Sequence, residues 1–540
     1  MLLSKSNAAV SSEISTVSSV AQAATCPNEH KPAGVVIIGA GMAGSRFAIE
    51  LARAQQKSTH AKNACTDSAD SPITGLPLPI TLISKEAQVG YNRIMLSPVL
   101  AGETVFEDTY LYKKVDYEQL GITVLSGVSV DKVDTDQQYA ELDNGQRLFY
   151  TKLVMATGST ARVIPLPNHT AKGVHVFRDL ADVTTLTQYA RQGKTGLVIG
   201  GGVLGLEAAC ALAAQGANIT VVHVDDYVLN RQLDLPAAKL LQAELGRRGV
   251  GLEVSASTDS IAVNETGEVC GLILKDGRTL SADFIVMTVG VIPSTALAKE
   301  SGLEVNRGIV VDEYMHTNCP HVYAIGECIE RDGEVFGMVA PVNQQVDTLV
   351  TVLKDTAISD TVVSDFSAAT DTLITPQDTW IPFVSKPLSL KLKVSGVSAF
   401  SAGQIAFDNS EANSIETLVY RQPTLNHYHC LYLKNNRVVG AVLYGDVSDG
   451  HFYSQLIIDK VDITSIKDTL IFGEAYCDLE PIEVHAMSNH VVIDEMASDE
   501  TDDKFSDYSH DGSASNNNGE QDEDSDKENR KMTILVEETS

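Results

Sequence analysis

Three observations predict an α/β chain built on two parallel sheets. The first is an apolar run, Gly34-Val35-Val36-Ile37-Ile38, followed by Gly39-Ala40-Gly41-Met42-Ala43-Gly44 and then residues with helical spacing. The second is the same design repeated at Gly196-Leu197-Val198-Ile199 and Gly200-Gly201-Gly202-Val203-Leu204-Gly205. The third is size: 540 residues with 44% hydrophobic content, enough for three domains of roughly 100–200 residues each.

Val35 to Ile38 suits a strand buried on both faces, and Ala43, Phe47 and Leu51 form one stripe of the helix after it. Strand, Gly-x-Gly-x-x-Gly and helix make the dinucleotide fingerprint of a Rossmann-like domain. Gly39 permits the tight turn. Gly41, lacking a Cβ, lets the backbone approach a pyrophosphate, and Gly44 lets helix pack on strand. Unpaired N–H groups at the helix start, around Met42 and Ala43, then face the phosphates. Gly200, Gly202, Leu204 and Gly205 repeat this arrangement. Two complete units imply two dinucleotides, and so a flavoprotein that also binds a nicotinamide cofactor.

Between the first helix and the strand Ile80–Ile83, the polar stretch Gln56–Pro79 is expected to be a loop. Glu86, past the end of that strand, is placed to bond an adenosine ribose, with a solvated loop carboxylate as the alternative. A hairpin-like region spans Ile122–Tyr150, with Asn144-Gly145 as a turn. The next strand ends in the turn Thr157-Gly158. In the second unit the strand Ile219–Val222 ends at His223. An acid there would favour NAD and an arginine NADP. Asp225 and Asp226 would repel a 2′-phosphate, so NADH is favoured.

Further strands end at Gly290 and at Ala324-Ile325-Gly326-Glu327-Cys328, where the Glu327 carboxylate can meet a ribityl hydroxyl. A helix starting near Pro341 and carrying Gln344 would point its N-terminus at the flavin and stabilise negative charge on it. Glu207, in the first turn of the second fingerprint helix, is a candidate catalytic residue near the nicotinamide. The alternative is a carboxylate serving the helix dipole.

The expected layout is a disordered leader (1–33), an FAD-binding domain (34–160 and 285–354) and an NAD(P)-binding domain (161–284). A linker (355–387), a C-terminal α/β domain (388–492) and an acidic disordered tail (493–540) follow. Formal net charge is -31, which argues against nucleic acid and anionic membranes as partners. From Ser498 to Ser540 there are fourteen acidic and four basic side chains, a composition typical of disorder. The apolar runs are too short to span a membrane. The 8 cysteines are scattered, with no Cys-x-x-Cys, which suits reduced thiols in a cytoplasm. Cys26 and His30 could be half a metal site, but no second pair completes it, and no metal is expected.

The order of these motifs resembles that of the pyridine nucleotide–disulfide oxidoreductase superfamily, over Gly34 to about Leu456. The resemblance assigns Gly39, Gly41, Gly44, Glu86, Arg93 and Glu327 to FAD, and Gly200, Gly202 and Gly205 to the nicotinamide nucleotide. Met42, Ala43, Ser97, Thr157, Gly158, Gly326 and Gln344 join the cofactor-binding set, with Leu204, His223 and Gly290. The blocks Tyr91–Glu103, Phe177-Arg178-Asp179, Arg231-Gln232-Leu233-Asp234 and Asn306–Asp312 resemble the flavin part of NAD(P)H nitrite reductase large subunits. They also resemble electron-transfer subunits of assimilatory nitrate reductases.

Two departures matter. Nitrite reductase large subunits continue into iron–sulfur and sirohaem segments, whereas only Cys430 and Cys477 lie beyond the flavin region here, too few for a four-cysteine cluster. Rubredoxin and ferredoxin reductases usually carry a lysine after the Leu-Ser of the first block, where this chain has Pro98. The resemblance therefore implies an FAD enzyme that takes electrons from NAD(P)H and passes them to a separate redox protein of nitrate or nitrite assimilation. A rubredoxin or ferredoxin reductase is the nearer rival, and a flavin-binding redox sensor is the rival of another class. Oligomeric state stays open, a homodimer included.

Overall fold

The computed structural model describes residues 34–64, 77–359, 380–385, 389–394, 397–408 and 410–477. The expected disordered leader and acidic tail lie outside these, as do Cys26 and Cys65. The described chain forms two compact units. The first takes the residues up to Tyr91, Leu111–Gly158 and Pro293–Phe383; the second takes Asn92–Tyr110, Ser159–Ile292 and the residues from Val384 onward.

In the first unit, Gly34–Ile38 pairs in parallel with Ile80–Ser84 on one side and with Arg147–Met155 on the other. Thr123–Ser126 and Val322–Ala324 extend the sheet in parallel. Val130–Asp134, Tyr139–Leu142 and Arg147–Met155 run antiparallel, and the expected Asn144-Gly145 turn joins the last two. Val35, Val36 and Ile37 are buried, as are Phe47, Ile49 and Leu51 on the helix that follows. The apolar run is therefore a central strand covered on both faces, as its composition requires. The chain leaves this strand at the point where its neighbours diverge in order, the usual place for a ligand in an open α/β sheet.

The second unit repeats the plan with a fully parallel sheet. Its strand order is Gly251–Glu253, Asn218–Val222, Thr195–Ile199, Phe284–Met287, Val174–Val176. A second, antiparallel sheet of five strands orders as Ser389–Val394, Val397–Gly403, Arg437–Tyr444, His427–Lys434, Glu416–Gln422. The helix Gly450–Asp459 buries Phe452, Tyr453 and Leu456 against Phe400, Leu431, Leu433 and Leu443 of that sheet. The C-terminal α/β domain expected from the sequence is thus this antiparallel sheet with one helix.

Several boundaries differ from expectation. The first helix runs Met42–Ala64, into the stretch expected as a loop from Gln56. Residues 56–64 lack an apolar period, yet they contain no glycine or proline to stop a helix. The helix Val339–Ser359 likewise runs past Asp355, the expected start of the linker. Within that linker, Trp380–Phe383 packs on the first unit. Phe383 is 1% exposed, its N–H donates to Glu313 O at 2.8 Å, and its ring meets Phe336 edge-on at 5.3 Å. Residues 285–292 belong with the second unit because Phe284–Met287 is an interior strand of its sheet. Residues 92–110 join the same unit, since the Gln215 amide donates to Ala101 O at 2.7 Å.

Candidate dinucleotide sites

The two glycine loops share one geometry. In the first unit Gly39 has φ +111°, and a Cβ there would lie 2.1 Å from Ala156 O. A Cβ on Gly44 would lie 1.9 Å from Gly39 O. Both positions exclude any side chain. Gly41 differs: a Cβ would meet no atom within 4 Å. The second unit repeats each role. Gly200 has φ +120° and would clash with Thr288 O at 2.5 Å, Gly205 would clash with Gly200 O at 2.0 Å, and Gly202 again faces open space. The first and last glycines of each fingerprint are demanded by the protein's own backbone. The middle one is not, which fits a ligand that must come close to the backbone.

Around the first loop, Gly326 (φ +92°) comes so near that a Cβ on it would lie 3.2 Å from the Ala43 methyl. The loop preceding Glu327 is thereby joined to the fingerprint helix. Gln345 accepts the Gly326 N–H at 2.8 Å through Oε1. It is fully buried, and its Nε2 has no hydrogen-bond acceptor among the described residues. A buried amide with two unused donors beside the loop is the kind of group a cofactor satisfies. Gln345 was not singled out from the sequence. Its neighbour Gln344 was, and Gln344 is half-buried one helical position away. Glu86 follows the strand Ile80–Ser84, and its carboxylate accepts the Tyr91 hydroxyl at 2.6 Å, which fixes its orientation. Thr157 donates to Ser294 O at 2.7 Å, and Gly158 takes the left-handed conformation, φ +65°. These residues fit a dinucleotide, with Gly41 as the open cradle and the Gln345 amide as a donor.

Around the second loop, His223 Nδ1 accepts the Gly201 N–H at 3.1 Å. The ring expected to face a ribose is therefore committed on one side to shaping the loop. Its Nε2 lies 3.6 Å from the Asp225 carboxylate, beyond hydrogen-bond reach, and that carboxylate accepts from Asn230 Nδ2 at 2.9 Å. Thr288, unremarked in the sequence, donates to Ile199 O at 3.1 Å and fills the space against Gly205. Leu204, on the first helical turn, is partly exposed. Gly290 has φ +100° and accepts Arg162 N–H at 2.9 Å.

Ser97 and Glu207, named separately from the sequence, meet: the hydroxyl donates to the carboxylate at 2.7 Å. Burial pushes the Glu207 carboxyl up from its ordinary pKa, and the Ser97 bond partly offsets this. Arg93 donates to Arg178 O at 3.0 Å, within the second unit and the Phe177-Arg178-Asp179 block.

Residues 33–347 match the family described as pyridine nucleotide-disulphide oxidoreductase. The chain belongs to this family. Residues 389–461 match the rubredoxin NAD+ reductase C-terminal domain. The oxidoreductase is 36% identical over 459 residues to a nitrite reductase (NAD(P)H) of Bacillus subtilis (strain 168), covering 85% of this chain and 51% of that one. It is 34% identical over 395 residues to the assimilatory nitrate reductase electron transfer subunit of the same organism, covering 73% and 48%. The chain spans about half the length of these relatives. Its fold is that of the putidaredoxin reductase–putidaredoxin complex, with TM-score 0.64 at 22% identity over 80% of this chain and 94% of that one. The family works with FAD and NAD(P)H, and this oxidoreductase carries two glycine loops of matching geometry. Among the described residues, no helix is long and apolar enough to cross a membrane.

Proposed function

We propose that this flavoprotein takes electrons from NADH and delivers them through FAD to a separate redox protein of nitrate or nitrite assimilation. The observation that carries the reading is the pair of glycine loops with matching open centres, in a chain related to nitrite and nitrate reductase components. When bound, FAD supplies the change from two-electron to one-electron transfer. The protein's own part is position and field. Gly41 and Gly202 let the backbone reach each pyrophosphate, and the helix N-termini behind them favour its charge. Glu86, held by Tyr91, is an acceptor for a ribose hydroxyl. The half-buried Glu207 carboxyl, bonded to Ser97, is a protonatable group at the start of the second fingerprint helix. Asp225 and Asp226 are exposed carboxylates that would oppose a 2′-phosphate, which supports NADH over NADPH. A cytoplasmic setting is part of this reading, since the chain's 8 cysteines are scattered with no Cys-x-x-Cys among them.

A second reading, reduction of a rubredoxin or ferredoxin, draws support from the C-terminal match at 389–461. Pro98 speaks against it, since proline offers neither charge nor backbone N–H where that branch usually places lysine. Purified chain, NADH and each candidate acceptor in turn decide between them. Coupled turnover with a nitrite or nitrate reductase component is expected. Efficient rubredoxin reduction with neither nitrogen-oxide partner served would overturn the assignment and leave the flavoprotein reading standing.

A further inference from the structure

The block Arg231-Gln232-Leu233-Asp234 takes no direct part in the glycine loop, yet it stands between that loop and the C-terminal sheet. Gly201, at the loop's centre, is held from three sides. Its N–H donates to His223, and its carbonyl accepts the Leu229 N–H at 2.9 Å. A Cβ on it would lie 2.8 Å from His223 Cγ and 2.9 Å from Val228 Cγ1. Leu229 is buried in the left-handed conformation, φ +54°, and its carbonyl accepts the N–H groups of Gln232 and Leu233, both at 2.8 Å. The next residue is Asp234. Its Oδ1 caps the helix Leu235–Arg247 by accepting the Ala237 N–H at 3.0 Å. Its Oδ2 accepts two phenols, Tyr428 at 2.5 Å and Tyr432 at 3.0 Å.

Those tyrosines lie on the strand His427–Lys434. Tyr428, Cys430 and Tyr432 alternate onto one face, while Leu431 and Leu433 alternate onto the other and enter the domain's own core. Tyr444, the cross-strand partner of Tyr428, is buried beside Glu244, Arg247 and Arg248 of the helix that Asp234 caps. One face of the sheet is thus built to pack on its own helix and the other on the nucleotide-binding domain. Burial, aided by the Asp234 carboxylate, pushes both phenols well above their ordinary pKa, so both remain donors to the carboxylate.

We propose that Asp234 is a positioning residue for NAD(P)H binding: it ties the segment that shapes the loop Gly200–Gly205 to the C-terminal sheet. That sheet is then part of the nucleotide site's scaffold. The physical ground is preorganisation. A loop ordered before the nucleotide arrives does not charge its ordering entropy to binding. The proposal rests on Gly200–Gly205 being the nicotinamide-nucleotide loop.

Two full-length variants test it. Asp234→Ser keeps an oxygen able to cap Ala237 but cannot reach both phenols. Tyr428→Phe with Tyr432→Phe keeps Asp234 and its cap but removes both donors. If the double variant does not fold, each single Tyr→Phe variant serves. The expected result in both designs is a KM for NADH and a Kd for NAD+ raised on the order of tenfold. FAD content and kcat at saturating NADH should stay as in wild type. A lowered melting temperature with unchanged KM and Kd would show a purely structural link and overturn the proposal. Gly202→Val is measured alongside. If it binds NADH like wild type, the loop reading falls and the proposal with it. If it loses NADH while the Asp234 and tyrosine variants keep wild-type values, the proposal alone falls.

Discussion

Replacing Gly202 by alanine separates what the protein needs from what the nucleotide needs. Gly202 is the N-cap of the helix Val203–Ala214, with φ -81° and ψ 179°, extended backbone that any residue adopts. A Cβ there meets no protein atom within 4 Å. Removing a glycine from an N-cap costs about 1 kcal/mol or less, so the folded chain should be nearly indifferent. A pyrophosphate on this loop would not be. The new methyl group would fill the space through which the phosphates reach the N–H groups at the helix start. Hydrogen bonds to charged groups are worth about 1.5–3 kcal/mol each, and losing two costs about 3–6 kcal/mol, or roughly two to four decades in affinity. Anaerobic stopped-flow bleaching of the flavin over a range of NADH concentrations measures this, with FAD content and melting temperature as controls. Gly205→Ala is the contrast. Its Cβ would sit 2.0 Å from the Gly200 carbonyl oxygen, and backbone cannot yield as a side chain does. That variant should lose about 1–3 kcal/mol of stability together with NADH. A Gly202→Ala protein with wild-type dependence on NADH would refute the placement of the nucleotide on this loop.

Two further outcomes are expected. Burial raises the Glu207 pKa in the folded chain, so its contribution to stability is full below the ordinary glutamate pKa and is lost as pH rises through the folded value. Glu207→Gln should therefore flatten the decline in melting temperature from acid towards neutral pH, and a decline parallel to wild type would count against this. Phe383→Ala should cost about 3–5 kcal/mol. It should also red-shift the emission of Trp380, the chain's one tryptophan, which packs at 5.3 Å on Tyr314 and 5.7 Å on His316. Unchanged emission would show that the segment is not held by Phe383.

The glycine loops were readable because their parts are contiguous. The residues that force a strand, a turn and a helix at Val35–Phe47 and Leu197–Leu206 lie side by side, and the clashes that exclude a side chain at Gly44 and Gly205 arise within each loop. Asn144-Gly145 was readable for the same reason. What escaped depends on distant partners. Ser97 and Glu207 are 110 positions apart, and nothing local to either announces their bond. Asp234 stands in the sequence only as the end of the Arg231-Gln232-Leu233-Asp234 block, and its tyrosines lie 194 and 198 positions on. Trp380–Phe383 follows a Thr- and Asp-rich stretch and so resembles a linker, although one buried ring suffices to anchor it. The choice between Gln344 and Gln345 turns on helix phase, which a boundary uncertain by one residue cannot fix.

The chain passes between its two units five times: after Tyr91, Tyr110, Gly158, Ile292 and Phe383. Neither unit is a continuous stretch of sequence. During synthesis the sheet begun at Gly34 lacks the strand Val322–Ala324, and the unit lacks its Phe383 anchor, until both have left the ribosome. All five strands of the second unit's parallel sheet are translated before then. The later-starting unit can thus close its central sheet first, while the earlier one waits with apolar surface uncovered, a state prone to aggregation. Chaperone demand during translation should accordingly peak while the ribosome is between roughly residues 160 and 380 and fall once Phe383 emerges.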